Sequence, residues 1–489
     1  MPSNPQTRVL FVASEVHPLI KTGGLADVAG SLPGALRALG LDVRILLPGY
    51  PVAMERADAG TPLPEYTPGG HAQPIRLVEA RLPNNEVPVY LVDSPAHFDR
   101  PGSPYTQADG TDWPDNAERF ALLSRVAVDL ALGRAGLDWQ PDLVHCHDWQ
   151  SGLVPALLSL EEQAPPTVFT IHNLAYQGVF PRADFDALGL PESLWNLGGL
   201  EFWDQMSFMK GGLSFADRLT TVSPTYAGEI QTPAFGWGLD ALLRHRSDVL
   251  SGILNGVDYA YWDSANDPGL AAPFSVKKTA GRADNKRALQ QQFGLPEIPS
   301  VPLVGHVGRL AEQKGLDLVL DALPTLMEQP LQMVILGTGD PELERRLAEA
   351  ADTYDGRLAV KLAYSEETAH LIEGGSDIFL MPSRFEPCGL NQIYSLRYGA
   401  VPVVHKTGGL ADTIVDCTPD TLRNGTANGF VFEHADTEGV IYGVQRALET
   451  FADARTWSKL MHNGMVRDFS WDNSARQYQT LYAGIIARP

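Results

Sequence analysis

Arg309 and Lys314 lie in the glycine-bounded segment Gly308-Arg-Leu-Ala-Glu-Gln-Lys-Gly315, directly after an apolar run at 302–307. A guanidinium offers a planar fork of donors and an ammonium a compact charge, so the pair could grip a diphosphate from two sides. Where a nucleoside diphosphate leaves, negative charge builds on it, and cations aimed at that charge lower the barrier. Two surface cations on a loop would look the same, and spacing alone does not separate these readings.

A second constellation fills 381–412. The apolar run 377–381 meets Pro382, and Glu386, Cys388 and Gly389 follow at once. A helical pattern then spans 390–398, and a short strand pattern at 400–404 delivers the chain to Lys406-Thr-Gly-Gly-Leu-Ala-Asp412. The same heptapeptide occurs as Lys21-Thr-Gly-Gly-Leu-Ala-Asp27, after the first apolar strand. In each copy a strand leads through a loop into paired glycines that open a helix. Free N–H groups and a partial positive charge at such a helix start suit phosphate or sugar oxygens. The repetition predicts two facing halves sharing one anionic ligand, with convergence on a good strand-to-helix turn as the alternative.

His145-Cys-His-Asp148 superficially resembles a metal cluster. Strand alternation puts neighbouring side chains on opposite faces, so no joint metal site is expected. Asp148, at the loop edge, is the better candidate for sugar hydroxyls, and His172-Asn173 stands at another strand end. Gly337-Thr-Gly339 lacks the third glycine of a dinucleotide fingerprint, since Glu342 occupies that place. A Gly-Lys-Ser or Gly-Lys-Thr phosphate loop, a nucleophile elbow and a zinc-binding HExxH are all missing.

The elements that must position these groups alternate strand and helix, which implies parallel α/β architecture. Strand patterns lie at 9–13 and 42–47, and those at 142–149, 167–171 and 218–222 end in polar residues, where an open parallel sheet places its ligand. A helix is expected at 25–39, bent at Pro33. Residues 51–114, rich in Pro and Gly with short β-like runs such as 87–92, read as an insertion or lid. A new half begins near Ile253-Leu-Asn-Gly-Val-Asp258, with strands at 302–307 and 331–336. Aromatic and apolar residues at helical spacing over 469–486 predict a terminal core helix, or one that crosses back onto the first half.

At 489 residues, the chain suits two domains. With 44% hydrophobic and 20% charged residues it reads as an ordinary soluble globular protein. The net charge of -22 argues against sequence-independent nucleic-acid binding and against docking on anionic membranes. Cys146, Cys388 and Cys417 lack metal spacing and fit a reducing compartment. Neither an apolar signal core nor a run of membrane-spanning length is visible, so the expected location is cytoplasmic.

Together, Lys21–Val28, His147-Asp-Trp149, Thr170–Gly178, Ile253–Asp258, Gly308–Gly315, Ser383–Leu390 and Thr407–Asp412 resemble, in order and over essentially the whole chain, the motifs of bacterial glycogen synthases and plant starch synthases. The resemblance implies a GT-B α/β fold, with two Rossmann-like domains facing a deep cleft. It divides the chain into 1–252, 253–467 and a C-terminal helix, 468–489, returning to the first domain. It also implies a retaining hexosyltransferase of glycogen biosynthesis. Such an enzyme moves glucose from ADP-glucose to the non-reducing end of an α-1,4-glucan, with no metal or bound cofactor.

Carried over by motif, Arg309 and Lys314 hold the donor diphosphate. Lys21 and the Gly23 and Gly24 amides, with Asp27 in the same loop, approach it from the other domain. Glu386, Cys388 and the backbone of Gly389 and Leu390 take the glucosyl hydroxyls, and Thr407, Gly408 and Gly409 sit by the phosphate end. His172 lies beside the anomeric carbon, Asp148 and Asn173 line the sugar or acceptor site, Asn255 lies at the hinge, and Tyr364 lies by the adenine. Eight positions after Glu386, where related retaining transferases often carry a second Glu, stands Tyr394. With no covalent nucleophile identified, the resemblance suits front-face attack, the leaving phosphate accepting the acceptor's proton. Another donor or acceptor, a pyridoxal-phosphate-dependent phosphorylase and a silent glucan-binding scaffold stay open as alternatives.

Overall fold

The computed structural model describes residues 6–107 and 109–487, in two compact units. The first runs to Gly256 and takes in the chain again from Trp471; the second is Val257–Ser470. Local packing explains these limits. A Cβ on Gly256 would run into Trp471, whereas the next amide, Val257 N–H, donates to Phe469 O at 2.8 Å.

The first unit is built on a nine-stranded sheet. Its order is Leu250–Gly252, Arg218–Thr221, Thr167–Ile171, Leu143–His147, Arg8–Val12, Asp42–Pro48, Pro88–Asp93, Arg76–Arg81, Asp58–Pro62. Neighbours are parallel as far as Pro88–Asp93, and the last two strands join antiparallel. Leu143–His147 and Thr167–Ile171 are buried along their whole length, as strands covered on both faces must be. Chain order reverses between Arg8–Val12 and Leu143–His147. Loops leaving their carboxyl ends therefore diverge and open a crevice.

Residues 51–93 are not the insertion or lid that their composition suggests. Pro88–Asp93 is a core strand, parallel to Asp42–Pro48, with Val89 through Val92 buried. Its proline stands first in the strand, where a missing N–H does least harm. The β-like run at 87–92 thus belongs to the main sheet, although turn residues flank it on both sides.

The helix Trp471–Ile486 lies against Gly24–Ala38 and buries Trp471, Tyr478, Tyr482 and Ile485. Ser474 Oγ donates to Leu254 O at 2.5 Å, and Gln479 Nε2 to Leu39 O at 3.2 Å. The Tyr482 hydroxyl meets His145 Nδ1 at 2.7 Å. Four large buried side chains at roughly 1.5–3 kcal/mol each rival the ~5–15 kcal/mol that holds a whole domain together. Removing residues after Phe469 is therefore expected to leave the first unit unfolded or insoluble. Tyr482→Phe, which loses one hydrogen bond, should cost only about 1 kcal/mol. Denaturant unfolding of both proteins checks the contrast.

The second unit carries a six-stranded, wholly parallel sheet. Its order is Leu358–Leu362, Gln332–Gly337, Leu303–Val307, Ile378–Met381, Val401–His405, Phe430–Phe432. Again the order reverses beside the first strand, between Leu303–Val307 and Ile378–Met381. Separate apolar cores cover the two faces.

Candidate functional site

Each unit gathers polar groups at its own switch point. In the second, the loop after Leu303–Val307 carries Arg309, exposed, and Lys314, at the end of the short turn Glu312–Lys314. The loop after Ile378–Met381 carries Ser383 and Glu386. Lys314 Nζ donates to Glu386 Oε2 at 2.6 Å, and Ser383 Oγ donates to the same oxygen at 2.9 Å. Glu386 is buried, and the ammonium and the hydroxyl supply the partners that a buried carboxylate needs. Backbone stitches the loops together: Arg384 N–H donates to Gln313 O at 2.9 Å, and Gln313 Nε2 to Phe385 O at 3.2 Å.

The second heptapeptide supports this cluster from below. Gly409 N–H donates to the carbonyls of Glu386 (3.1 Å) and Pro387 (3.2 Å). A Cβ on Gly408 (φ +43°) would fall inside contact with Glu386 O, and one on Gly409 inside contact with Cys388 O. Thr407 is buried. This helix start, expected beside phosphate, has its Gly409 amide turned to protein carbonyls because the 386–388 backbone lies directly on the glycines. Gln392 Nε2 donates to Cys388 O at 2.9 Å and Gly389 O at 3.0 Å, which fixes the turn into the helix Asn391–Tyr398 that Leu390 precedes. Cys388 is buried, while Tyr364, after Leu358–Leu362, is 74% exposed. Tyr394 stacks on Trp262 at 3.7 Å, and Trp262 on His370 at 4.0 Å. An aromatic stack thus occupies the place of the second glutamate.

In the first unit the leading residue is one that sequence reasoning missed. Glu15, buried just after Arg8–Val12, accepts the Thr22 and Gly23 amides at 2.5 and 2.9 Å on one oxygen. Its other oxygen accepts the Tyr105 hydroxyl at 2.8 Å. Burial pushes its carboxyl upward while the amides and the phenol pull it down. The Gly23 N–H, expected to be offered to a ligand, is therefore already held by an internal anion. Lys21 Nζ and Asp27 Oδ1 pair at 2.8 Å within the loop. A Cβ on Gly23 or Gly24 would meet nothing within 4 Å, in contrast to the second copy.

Asp148 follows Leu143–His147 with a left-handed backbone (φ +55°). Its Oδ1 accepts His172 N–H at 2.7 Å and Asn173 N–H at 3.4 Å, so it orients the loop that carries both. Asn173 Oδ1 accepts Ala175 N–H at 3.1 Å. His172 Nε2 faces His147 Nδ1 at 2.9 Å, and Phe11 stacks on His147 at 3.9 Å. Alternation separates Cys146 from the histidines, but His145 and His147, two apart, share a face with ring centroids 4.1 Å apart. His145 is engaged by Tyr482 and, at 2.6 Å, by Thr170 Oγ1. Among the described residues no three His, Cys, Asp or Glu come together as a metal site. Asn255 is buried, and its Oδ1 has no hydrogen-bond partner among the described residues.

These groups give the first unit opposing pH responses. Burial holds His145, His147 and His172 neutral, His172 down to about 3, whereas unfolded histidines bind protons near 6.5. Their contribution to stability is full above that pH and falls as pH drops below it. Burial pushes Asp148 up to about 7 from its ordinary 3.8, against the pull of the two amides. Its penalty is absent at low pH and grows as pH rises between those values. Asp148→Asn should therefore raise Tm more at about pH 8 than at about pH 5, while lowering activity. Thermal unfolding at both pH values checks the sign.

Residues 8–245 match the family described as starch synthase catalytic domain, and 289–459 that described as glycosyl transferases group 1. The chain is 54% identical to glycogen synthase 1 of Methylococcus capsulatus, over 98% of its own length and 97% of that protein's. It is 52% identical to the glycogen synthase of Thioalkalivibrio sulfidiphilus, over 98% and 100%. The chain belongs to the glycogen synthase family. Among solved structures, the catalytic domain of starch synthase IV from Arabidopsis thaliana, bound to ADP and acarbose, matches with a TM-score of 0.90. That match has 34% identity and covers 99% of this chain and 100% of the other. A sucrose-phosphate synthase from Thermosynechococcus elongatus, 18% identical with a TM-score of 0.59 over 99% and 100%, shares the fold. This member of the glycogen synthase family is thus a GT-B glycosyltransferase, and among its described residues no helix is long and apolar enough to cross a membrane.

Proposed function

We propose that the chain transfers glucose from ADP-glucose to the non-reducing end of an α-1,4-glucan, with retention at the anomeric carbon. The observation that carries this reading is the buried Glu386 carboxylate held by Lys314 and Ser383 at the switch point of the second unit. It joins a hydroxyl acceptor to a phosphate-binding cation at one spot. The Arabidopsis relative bound to ADP and acarbose supports the nucleotide and the glucan class.

The C1–O bond to ADP breaks as the C1–O4 bond to the acceptor forms on the same face. The acceptor's proton passes to the departing phosphate oxygen. Arg309 and Lys314 stabilise the charge that develops on that phosphate, and Glu386 orients the glucosyl hydroxyls. In the first unit His172 serves the anomeric centre as a neutral imidazole. Asp148 and Asn173 position the sugar, and Asn255 Oδ1 accepts a ligand hydroxyl. Tyr364 covers the adenine. No metal or resident cofactor takes part, and the setting is cytoplasmic, in keeping with Cys146, Cys388 and Cys417, which form no disulfide among the described residues.

The test is ADP release from ADP-glucose and glycogen, repeated with UDP-glucose and after dialysis against a chelator. Chelator-resistant turnover, faster with ADP-glucose, is the expected result. Activity that tracks a pyridoxal absorbance, or glycogen binding without turnover, would favour the phosphorylase or scaffold alternatives.

A further inference from the structure

The first unit exposes aromatic side chains where both sequence and backbone disfavour them. Among the described residues five non-glycine residues have positive φ, and three of them are Trp203 (55°), Asp204 (59°) and Trp237 (50°). Trp203 and Asp204 form the two-residue turn between Glu201–Phe202 and Gln205–Ser207, a turn that Asn-Gly fits best. A bulky residue at positive φ is a strained choice. Yet Trp203 is 77% exposed, and Trp237 and Tyr176 are each 50% exposed. Neither packing nor local preference accounts for an indole at that tip, and sites that break local rules without structural return are where function is expected.

The three aromatics are neighbours. A Cβ on Gly238, adjacent to Trp237, would lie 3.6 Å from Trp203 Nε1 and 3.1 Å from the Phe202 ring. Gln177 Nε2, beside Tyr176, donates to Trp237 O at 3.1 Å. Tyr176 N–H in turn donates to Asn173 O at 3.3 Å, so the strip is continuous with the His172–Asn173 loop. The hairpin is also held firmly from beneath. Lys210, buried and with its pKa lowered by that burial, donates to Leu197 O at 2.8 Å and to Glu201 O. A platform pre-organised in this way loses little freedom on binding.

We propose that Tyr176, Trp237 and Trp203 form a docking strip for the α-glucan chain, leading away from the His172 loop. The C–H face of a pyranose ring is apolar and its rim polar, which suits an exposed aromatic ring bordered by hydrogen-bonding side chains. The hairpin's charges, Glu201 and Asp204, are carboxylates. They suit a neutral polyhydroxyl ligand and repel nucleotides, nucleic acid or a second copy of a chain with net charge -22. This inference rests on the glucan-transfer reading and extends it to a site that long acceptors reach and short ones do not.

The test uses Trp203→Asn, Trp237→Asn and the double variant, because Asn tolerates positive φ and the fold is kept. Melting temperatures should hold or rise. In glycogen-containing native gels the double variant should lose most of its retardation, and its KM for glycogen should rise about tenfold or more, the scale of losing aromatic anchors. With maltotriose as acceptor, kcat and KM should stay within about twofold of wild type. Unchanged glycogen retardation and KM would overturn the proposal. Equal losses with maltotriose, or a change of oligomeric mass in light scattering, would overturn it too, by marking the strip as loop support or a self-association face. Wild-type retardation that the variants lose, without any ADP release from wild type, would uphold the strip and defeat the transfer reading instead.

Discussion

Lys314→Ala and Arg309→Ala are each expected to lower kcat at least ~10²-fold, the usual scale for losing one donor aimed at developing charge. On the proposed reading ADP leaves with charge growing on its distal phosphate, and cations placed there would stabilise the transition state more than the ground state. Arg309→Lys should rescue little, because it keeps the charge and loses the planar fork. Lys314→Ala has a second effect, since its ammonium stands 2.6 Å from a Glu386 side chain only 7% exposed. Removing it leaves a carboxylate under-compensated, with a stability loss at or below the low end of the ~3–5 kcal/mol typical of broken buried pairs. Glu386→Ala should be as severe for kcat, through misplacement of the glucosyl ring, and the double variant should fall well short of additive. Initial ADP-release rates against donor concentration at saturating glycogen, with glycogen binding measured separately, decide the matter. Near-wild-type kcat in both Ala variants would sink the donor assignment.

The repeated heptapeptide allows a sharper contrast. Gly408→Ala and Gly409→Ala put a methyl onto the carbonyls of Glu386 and Cys388, and Gly408 also has a left-handed backbone. Overpacking of this kind costs roughly 1–3 kcal/mol and displaces the very segment that positions Glu386. Both variants should melt earlier and lose kcat by about tenfold or more. Gly24→Ala, at the corresponding place in the first unit, meets open space at a helix start. It should fold normally, gaining up to about 1 kcal/mol of helix preference. If the donor phosphate is approached by this loop as proposed, the variant's kcat/KM for ADP-glucose should still fall, because the added methyl takes up space there. Melting curves and donor kinetics on the four alanine variants, Gly23→Ala included, test the asymmetry. Matching behaviour of the two copies would count against it.

Why some of this was readable in the sequence follows from how parallel sheets bury strands. Arg8–Val12, Leu303–Val307 and Ile378–Met381 are almost wholly buried and stand out as short apolar runs. The polar residues just after such runs therefore pointed to both switch points. The β-like run at 87–92 is legible, but its place in the core sheet is not, because Pro83, Pro88 and Pro95 around it imitate a loop. Glu15 escaped for another reason. Its partners, the Thr22 and Gly23 amides and Tyr105, come together only in three dimensions, although its place just after the first strand was a usable signal. Strand alternation separates neighbours but brings His145 and His147, two apart, onto one face, a pairing that immediate neighbours alone do not reveal. Tyr394 was noted as a departure, but its stack with Trp262 depends on a contact across more than a hundred residues.

The pairing of Tyr482 with His145, separated by 337 residues, bears on how the chain is made. During translation every strand of the first sheet emerges before the helix Trp471–Ile486 that seals its core. The second unit, contiguous from Val257 to Ser470, has all its own segments available earlier. Loop closure over so long a span is slow and leaves apolar surface uncovered meanwhile. The nascent first unit must then wait, with Phe11 and the histidine strand unsealed, until ribosomal synthesis has passed through the whole of the second. Maturation on the ribosome thus runs against the order of synthesis, and chaperone demand should concentrate on the earlier-made half.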